Sequence, residues 1–178
     1  MYRVFVVLFI LLTATSCKKI DLDFTPKKLP AATMTGANTF GCLVDGKVFV
    51  PGKKLFAGGV ILQFNYEFVD SNYYVILAAH NYIEDYSVVI NIDKIQLSGD
   101  TTFSFSSPRT GPVYGRCGDV RNDLTLAYST AQNAPGELVF TKFDLVNHIA
   151  SGTFWFDAVD SATGKTVQVR EGRFDVHL

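Results

Sequence analysis

Residues that carry chemistry are scarce in this chain. There are three histidines, His80, His148 and His177, in three separate segments, and a single tryptophan, Trp155. No HExxH, His-x-His or Cys-x-x-Cys occurs, and no Asp-rich calcium loop, so no dedicated metal site is signalled and no cofactor is implied. No Gly-x-Ser-x-Gly supplies a nucleophile on a strained turn. Gly58-Gly59 and the stretch 111–118 are glycine-bearing loops without the Lys-Ser/Thr ending or following helix of a phosphate cradle. The 16 Lys+Arg and 17 Asp+Glu are dispersed, with no basic stripe on any one element, which argues against a nucleic-acid partner. His177 alternates with Val176 and Leu178 and is expected to face solvent. Among carboxylates, Asp144, Asp157, Asp160 and Asp175 are the candidates for a glycosidase pair. The balance of these absences argues against an enzyme, with an envelope glycan hydrolase using paired carboxylates as the alternative.

No apolar run reaches the roughly 20 residues that cross a bilayer as a helix. What the N-terminus has is Arg3, a nine-residue apolar run at 4–12, and then the small residues Thr13, Ala14, Thr15 and Ser16, the layout of an export signal. Ala14-Thr15-Ser16-Cys17 resembles a bacterial lipobox, in which the cysteine is acylated and becomes the new N-terminus. Residues 1–16 are thus expected to be a signal peptide and Cys17 a lipidation site. Two or three acyl chains, at about 0.8 kcal/mol per buried CH2, hold a domain stably at a membrane. Residues 17–38 mix lysines with Pro26 and Pro30 and show no periodicity, which predicts a flexible tether. The domain is expected over 39–178.

Aromatics are abundant, with 15 Phe and 8 Tyr, and these favour half-buried pleated surfaces. Short apolar runs punctuated by Gly, Pro, Asn and Asp replace each other along the chain, with no helical stripe. Asp45-Gly46 between Cys42-Leu43-Val44 and Lys47-Val48-Phe49-Val50 is a two-residue hairpin signal. Val60, Leu62, Phe64, Tyr66 and Phe68 alternate with a mostly polar face. Residues 73–82 are apolar on both faces until His80. Val88, Ile90 and Ile92, then Phe103 and Phe105, then Leu124, Leu126 and Tyr128, then Leu138 and Phe140 continue the pattern. The expected fold is all-β, an antiparallel β-sandwich or barrel-like single domain.

In the C-terminal block, Phe154, Phe156 and Ala158 share one face, as do Val167 and Val169 on the return arm. Phe174, Val176 and Leu178 then have the opposite parity. A period-2 strand cannot change faces without an extra residue, so a bulge is expected at Glu171-Gly172, with Phe174 and Val176 buried and Arg173 and Asp175 exposed. The segments GANTFGCLVDGKVFVP, GELVFTKFD, SGTFWFDAVDSATGKTV and EGRFDV, behind the lipobox, resemble a family of small outer-membrane lipoproteins of the Bacteroidetes. That resemblance implies lipidation, an outer-membrane address and a β-rich domain. It implies no activity.

With Cys17 consumed by acylation, Cys42 and Cys117 remain. In an oxidising envelope they would close a 76-residue loop worth roughly 4.5 kcal/mol in the chain-entropy account. Alternatively Cys42, which opens a core strand, is a small buried hydrophobe while Cys117 hangs in a loop. Both outcomes stand on the sequence. Exposed aromatics are the remaining candidates for a ligand platform: Trp155, opposite in parity to Phe154 and Phe156, and Tyr73, Tyr74, Tyr82, Tyr86 and Tyr114. The function expected is a lipid-anchored binding or structural module of the cell envelope, with a protein or glycan partner.

Overall fold

A computed structural model of the chain describes residues 28–53, 59–108, 110–119, 126–132 and 135–178. Among them are eleven strands and no helix: β1 (Thr39–Val44), β2 (Lys47–Phe49), β3 (Leu62–Val69), β4 (Asn72–Asn81), β5 (Tyr86–Asp93), β6 (Thr101–Ser104), β7 (Val113–Asp119), β8 (Tyr128–Thr130), β9 (Gly136–Asp144), β10 (Ile149–Asp160) and β11 (Thr166–His177). All strand pairs are antiparallel, in the order β2-β1-β11-β10-β8-β7-β5-β4-β3, with β9 also on β10 and β6 on β9. β10 pairs with β11 along one edge and serves two neighbours along the other because it is twelve residues long. Its first part pairs with β9 from Ile149 to Phe156, and its last residues, Ala158 to Asp160, pair with β8. The sheet curls into a half-barrel whose facing walls share one core.

That core is aromatic, as the composition predicts. Phe64 of β3 meets Phe140 of β9 and Phe174 of β11, each with ring centroids 6.5 Å apart, and Phe49 of β2 meets Tyr86 of β5 at 6.0 Å. Offset and edge contacts of this kind add about 0.5–1.5 kcal/mol per pair beyond burial. The rings are admitted by missing side chains. Gly115 of β7 lies beneath Phe156, whose ring would stand 2.8 Å from an added Cβ, and Gly172 lies beneath Phe154 in the same way. The stretch 111–118, read from its glycines as a loop, is therefore largely strand β7. Its Gly115 marks a close approach rather than a turn.

Asp45 and Gly46 have φ of +46° and +76°, the paired positive values that a type I′ hairpin needs. Asp70 and Ser71, at +48° and +64°, make the same kind of connection between β3 and β4 without the Asn-Gly or Asp-Gly signature. Of the run Leu124, Leu126 and Tyr128, Leu124 lies outside the described residues, Leu126 precedes the strand, and Tyr128 opens β8.

The register change in β11 stands where the parity argument puts it. β10 steps from Phe154 to Phe156 while β11 steps from Gly172 to Val169, and β1 steps from Gly41 to Leu43 while β11 steps from Arg173 to Arg170. One extra residue therefore shows on both flanks. The positive φ, +51°, falls on Glu171 rather than on the glycine beside it. Gly172 is needed instead to make room for the Phe154 ring. A second bulge, between the register pairs Ser151–Lys142 and Gly152–Phe140, lets β9 turn Leu138 and Phe140 and then Phe143 toward the core.

Candidate binding site

The outer face of β10 and β11 carries Ser151, Thr153, Trp155 and Asp157 on one strand and Arg170, Arg173 and Asp175 on the other. Their neighbours Phe154, Phe156, Phe174 and Val176 fill the core. At one end this face is covered. Thr33 Oγ1 donates to Asp175 Oδ2 at 2.6 Å, the Thr35 and Ala37 amides donate to the same oxygen at 3.0 and 3.2 Å, and Gly36 N donates to Oδ1 at 2.7 Å. Thr35 Oγ1 and Ser151 Oγ add 3.2 and 2.8 Å bonds. Burial raises the cost of charge on Asp175, but the donors from Thr33, Thr35, Ser151 and Gly36 outweigh it and hold the carboxyl well below the ordinary carboxylate range.

Two sequence expectations are corrected here. Asp175 is on the outer face, as its parity requires, yet it is 1% exposed because residues 33–37 fold over it. Correspondingly, the described part of the segment read as a flexible tether is fastened to the sheet. Pro30 packs on Gly41, where an added Cβ would stand 2.5 Å from its ring, and Arg173 Nη1 donates to the Pro30 carbonyl at 3.4 Å. The segment's aperiodicity reflects an irregular backbone whose amides bond to a side chain instead of a ladder.

Beyond the arm the outer face opens into a concavity of about 660 Å³, bounded by Ala32 of the arm, Glu137 of β9, Thr153 and Trp155 of β10, and Glu171 and Arg173 of the bulge. Trp155 is 37% exposed. The Arg170 guanidinium lies 5.4 Å from its ring centroid, a cation–π distance. Arg170 is itself pinned by Asp157 and by the Phe156 and Val169 carbonyls, at 3.0 and 2.9 Å. Arg173 bonds to Glu171, and Glu137 stands directly across from Trp155 in the β9–β10 register. An indole edge is thus ringed by carboxylates, a hydroxyl and guanidinium groups. Of this set the sequence singled out only Trp155 as part of a ligand platform; Asp157 was a candidate catalytic carboxylate and Arg173 an expected surface residue of the bulge. Glu137 and Arg170 become neighbours through strand pairing, which no local motif encodes.

The tyrosines do not join Trp155 in a platform. Tyr73 stacks on Tyr66 at 5.1 Å beside Phe68, and Tyr74 lies opposite Asp93 in the β4–β5 register. Tyr82 stacks on His80 at 5.7 Å, and Tyr114 lies under Arg116. Tyr86 is partly buried against the core, and its phenol, by burial and contact with the Cys117 thiol, is pushed far above its usual pKa.

Cys42 and Cys117 are both fully buried free thiols, so the bridge weighed from the sequence is not formed. Cys117 is no loop residue. It sits in β7 opposite Val88 and Tyr128, hydrogen-bonded to Tyr86, and burial pushes its pKa to about 11. Burial, with Cys117 adding to it, pushes Cys42 higher still. Both behave as inert small hydrophobes.

Each of the four candidate carboxylates has its own partners. Asp144 accepts from Val146 N and Asn147 N, and Asp160 from Ala162 N and the Thr163 hydroxyl, so both close their own hairpin turns. Asp157 holds Arg170, and Asp175 holds the arm. His148 and His177 stack on one another, with His177 exposed as expected. His80 Nδ1 lies 2.6 Å from Ser87 Oγ, a nucleophile and base pair that no motif signalled, but Ser87 is fully buried and out of a substrate's reach. Among the described residues no cluster of three or more metal-ligating side chains occurs. Cys17 and the signal residues 1–16 lie outside the described residues. Compared with protein-family models, with curated proteins and with solved structures, the chain finds no match.

Proposed function

We propose that this protein is a binding module of the bacterial cell envelope, anchored at the outer membrane by acylation of Cys17, with the Trp155 concavity as its ligand face and a glycan as its ligand. One observation carries the reading. The chain's single tryptophan is exposed in a concavity on the outer sheet face, between Glu137, Glu171 and Arg173. Sugar rings offer C–H faces to an indole and hydroxyls to carboxylates and guanidinium groups. This is the mixed apolar and polar character such a surface matches. The lipobox-like Ala14-Thr15-Ser16-Cys17 and the resemblance to Bacteroidetes outer-membrane lipoproteins support the address.

The test is a screen of envelope glycans against the wild-type protein and Trp155→Ala, alongside pull-down from its own envelope. Binding that Trp155→Ala abolishes while the fold is kept supports the module. Cleavage of a bound glycan would restore the hydrolase, and capture of a protein insensitive to Trp155 would place the ligand face elsewhere. For the address, Cys17→Ser should end palmitate incorporation and release the protein from membranes. Unchanged fractionation would remove the anchor.

A further inference from the structure

Strand β3 ends the sheet, and among the described residues no other strand or backbone hydrogen bond covers its outer edge. Its eight residues carry none of the usual protections of an edge: no proline, no lysine and no bulge, with Glu67 the single charge. Large apolar side chains stand exposed at both of its ends, Val60 at 59% before the strand and Phe68 and Val69 at 62% and 47% at its close. Beside its beginning lies an open apolar groove of about 440 Å³, lined by Phe40, Val50, Pro51, Ile61 and Leu62.

We propose that β3 is a self-association edge, pairing antiparallel with β3 of a second copy about a two-fold axis at Asn65. The choice of occupant follows from the sequence of the edge itself. An antiparallel pair centred on Asn65 sets Leu62 against Phe68, Phe64 against Tyr66, Ile61 against Val69 and Gln63 against Glu67. Apolar residues thus meet apolar ones, and the one charge meets an amide. Centring on Phe64 would instead put Glu67 against Ile61, and centring on Tyr66 would put Val69 against Gln63. In the Asn65 register each exposed Phe68 arrives beside the partner's Leu62, at the mouth of the apolar groove, and fills it. The second copy therefore satisfies the bare edge and covers exposed apolar surface in one step. This inference is independent of the Trp155 face, which lies on other strands.

The experiment is crosslinking of the full chain in its own membranes through one introduced cysteine, with the unsubstituted chain as the baseline for native Cys17, Cys42 and Cys117, the last two of which are buried. Facing residues of an antiparallel pair have Cβ atoms about 4.5–5.5 Å apart, within reach of an intermolecular disulfide after slight adjustment. Residues two places from the axis are separated from their own copies by roughly 13 Å along the strand. Asn65→Cys should therefore give an oxidised dimer, and Gln63→Cys or Glu67→Cys alone should not. No dimer at position 65, or equal crosslinking at all three positions, overturns the proposal. Phe68→Asp in the Asn65→Cys background, with folding checked by its melting transition, should weaken association by roughly 30-fold, as for loss of a central aromatic anchor. Undiminished crosslinking in that folded variant overturns the groove as the seat of Phe68.

Discussion

Asp175 and Arg170 stand on the same outer face of β11, on either side of its bulge, yet one is sealed and the other lies beside an open concavity. At the Asp175 end an irregular arm supplies donors to both carboxylate oxygens, and among the described residues these hydrogen bonds, with no ion pair, hold the charge. At the Arg170 end only Ala32 of the described arm borders the concavity, and Trp155 stays accessible. The bulge separates the two regimes. It adds one residue between Arg170 and Arg173, so the outer face is spread where the concavity forms. An outer sheet face is thus wet or dry according to what the chain lays over it, not according to strand parity.

The largest effect should come from opening the sealed end. Asp175→Asn replaces an acceptor-only group by one that presents N–H to N–H, and should cost roughly 2–4 kcal/mol in urea unfolding, since several donors lose a charged acceptor. The pH dependence has a definite sign. The folded carboxyl titrates below its unfolded value of about 3.9, so its contribution is full above that pH and is lost as pH falls through the folded pKa. The wild-type stability curve should therefore drop on acidification below about pH 4, and the Asp175→Asn curve should lack that part of the drop. An unchanged acid slope would break the contrast between the two ends.

Within the bulge, two adjacent residues should respond with opposite signs. Gly172→Ala drives a methyl group into the Phe154 ring and should cost about 1–3 kcal/mol, as overpacking does. Glu171→Gly relieves a left-handed backbone on a non-glycine residue and should stabilise by about 0.5–1 kcal/mol. Denaturation midpoints check both. Equal responses would mean that the extra residue is accommodated elsewhere. A loss no larger than the Glu171→Gly gain belongs to the open end, where Trp155→Ala removes an exposed ring and one cation–π contact and should destabilise by about 0.5–1 kcal/mol. A much larger loss would show that Trp155 is structural and would remove it as a ligand platform.

Much of this architecture is legible in the chain because β-structure writes itself in period two. Alternation identified the inner residues of β10 and β11, the Asp45-Gly46 signature identified one hairpin, and a change of parity located the bulge. The same logic failed where a short contact between distant segments set the answer. Gly115 and Gly172 look like turn or bulge glycines until the Phe156 and Phe154 rings are seen above them. Cys117 looks like a loop thiol until β7 pairs with β5 and β8. Asp70-Ser71 makes a type I′ turn because two strands already committed to pairing hold it there, although neither residue is the favoured one.

By itself, then, the sequence determined the fold class and which side chains of the well-patterned strands face the core. These are consequences of side-chain direction along a pleated strand, which needs no knowledge of neighbours. It also determined the scarcity of histidine, cysteine and metal-binding motifs. Only the tertiary structure decided that Asp175 is buried, that residues 29–38 are an arm rather than a leash, and that Glu137, Arg170 and Arg173 gather around Trp155. Those outcomes depend on groups brought together from opposite ends of the chain, as in the hydrogen bond from Thr33 to Asp175. A carboxylate's burial is set by the donors that reach it, and the register of three strands and the path of one irregular segment decide which donors do.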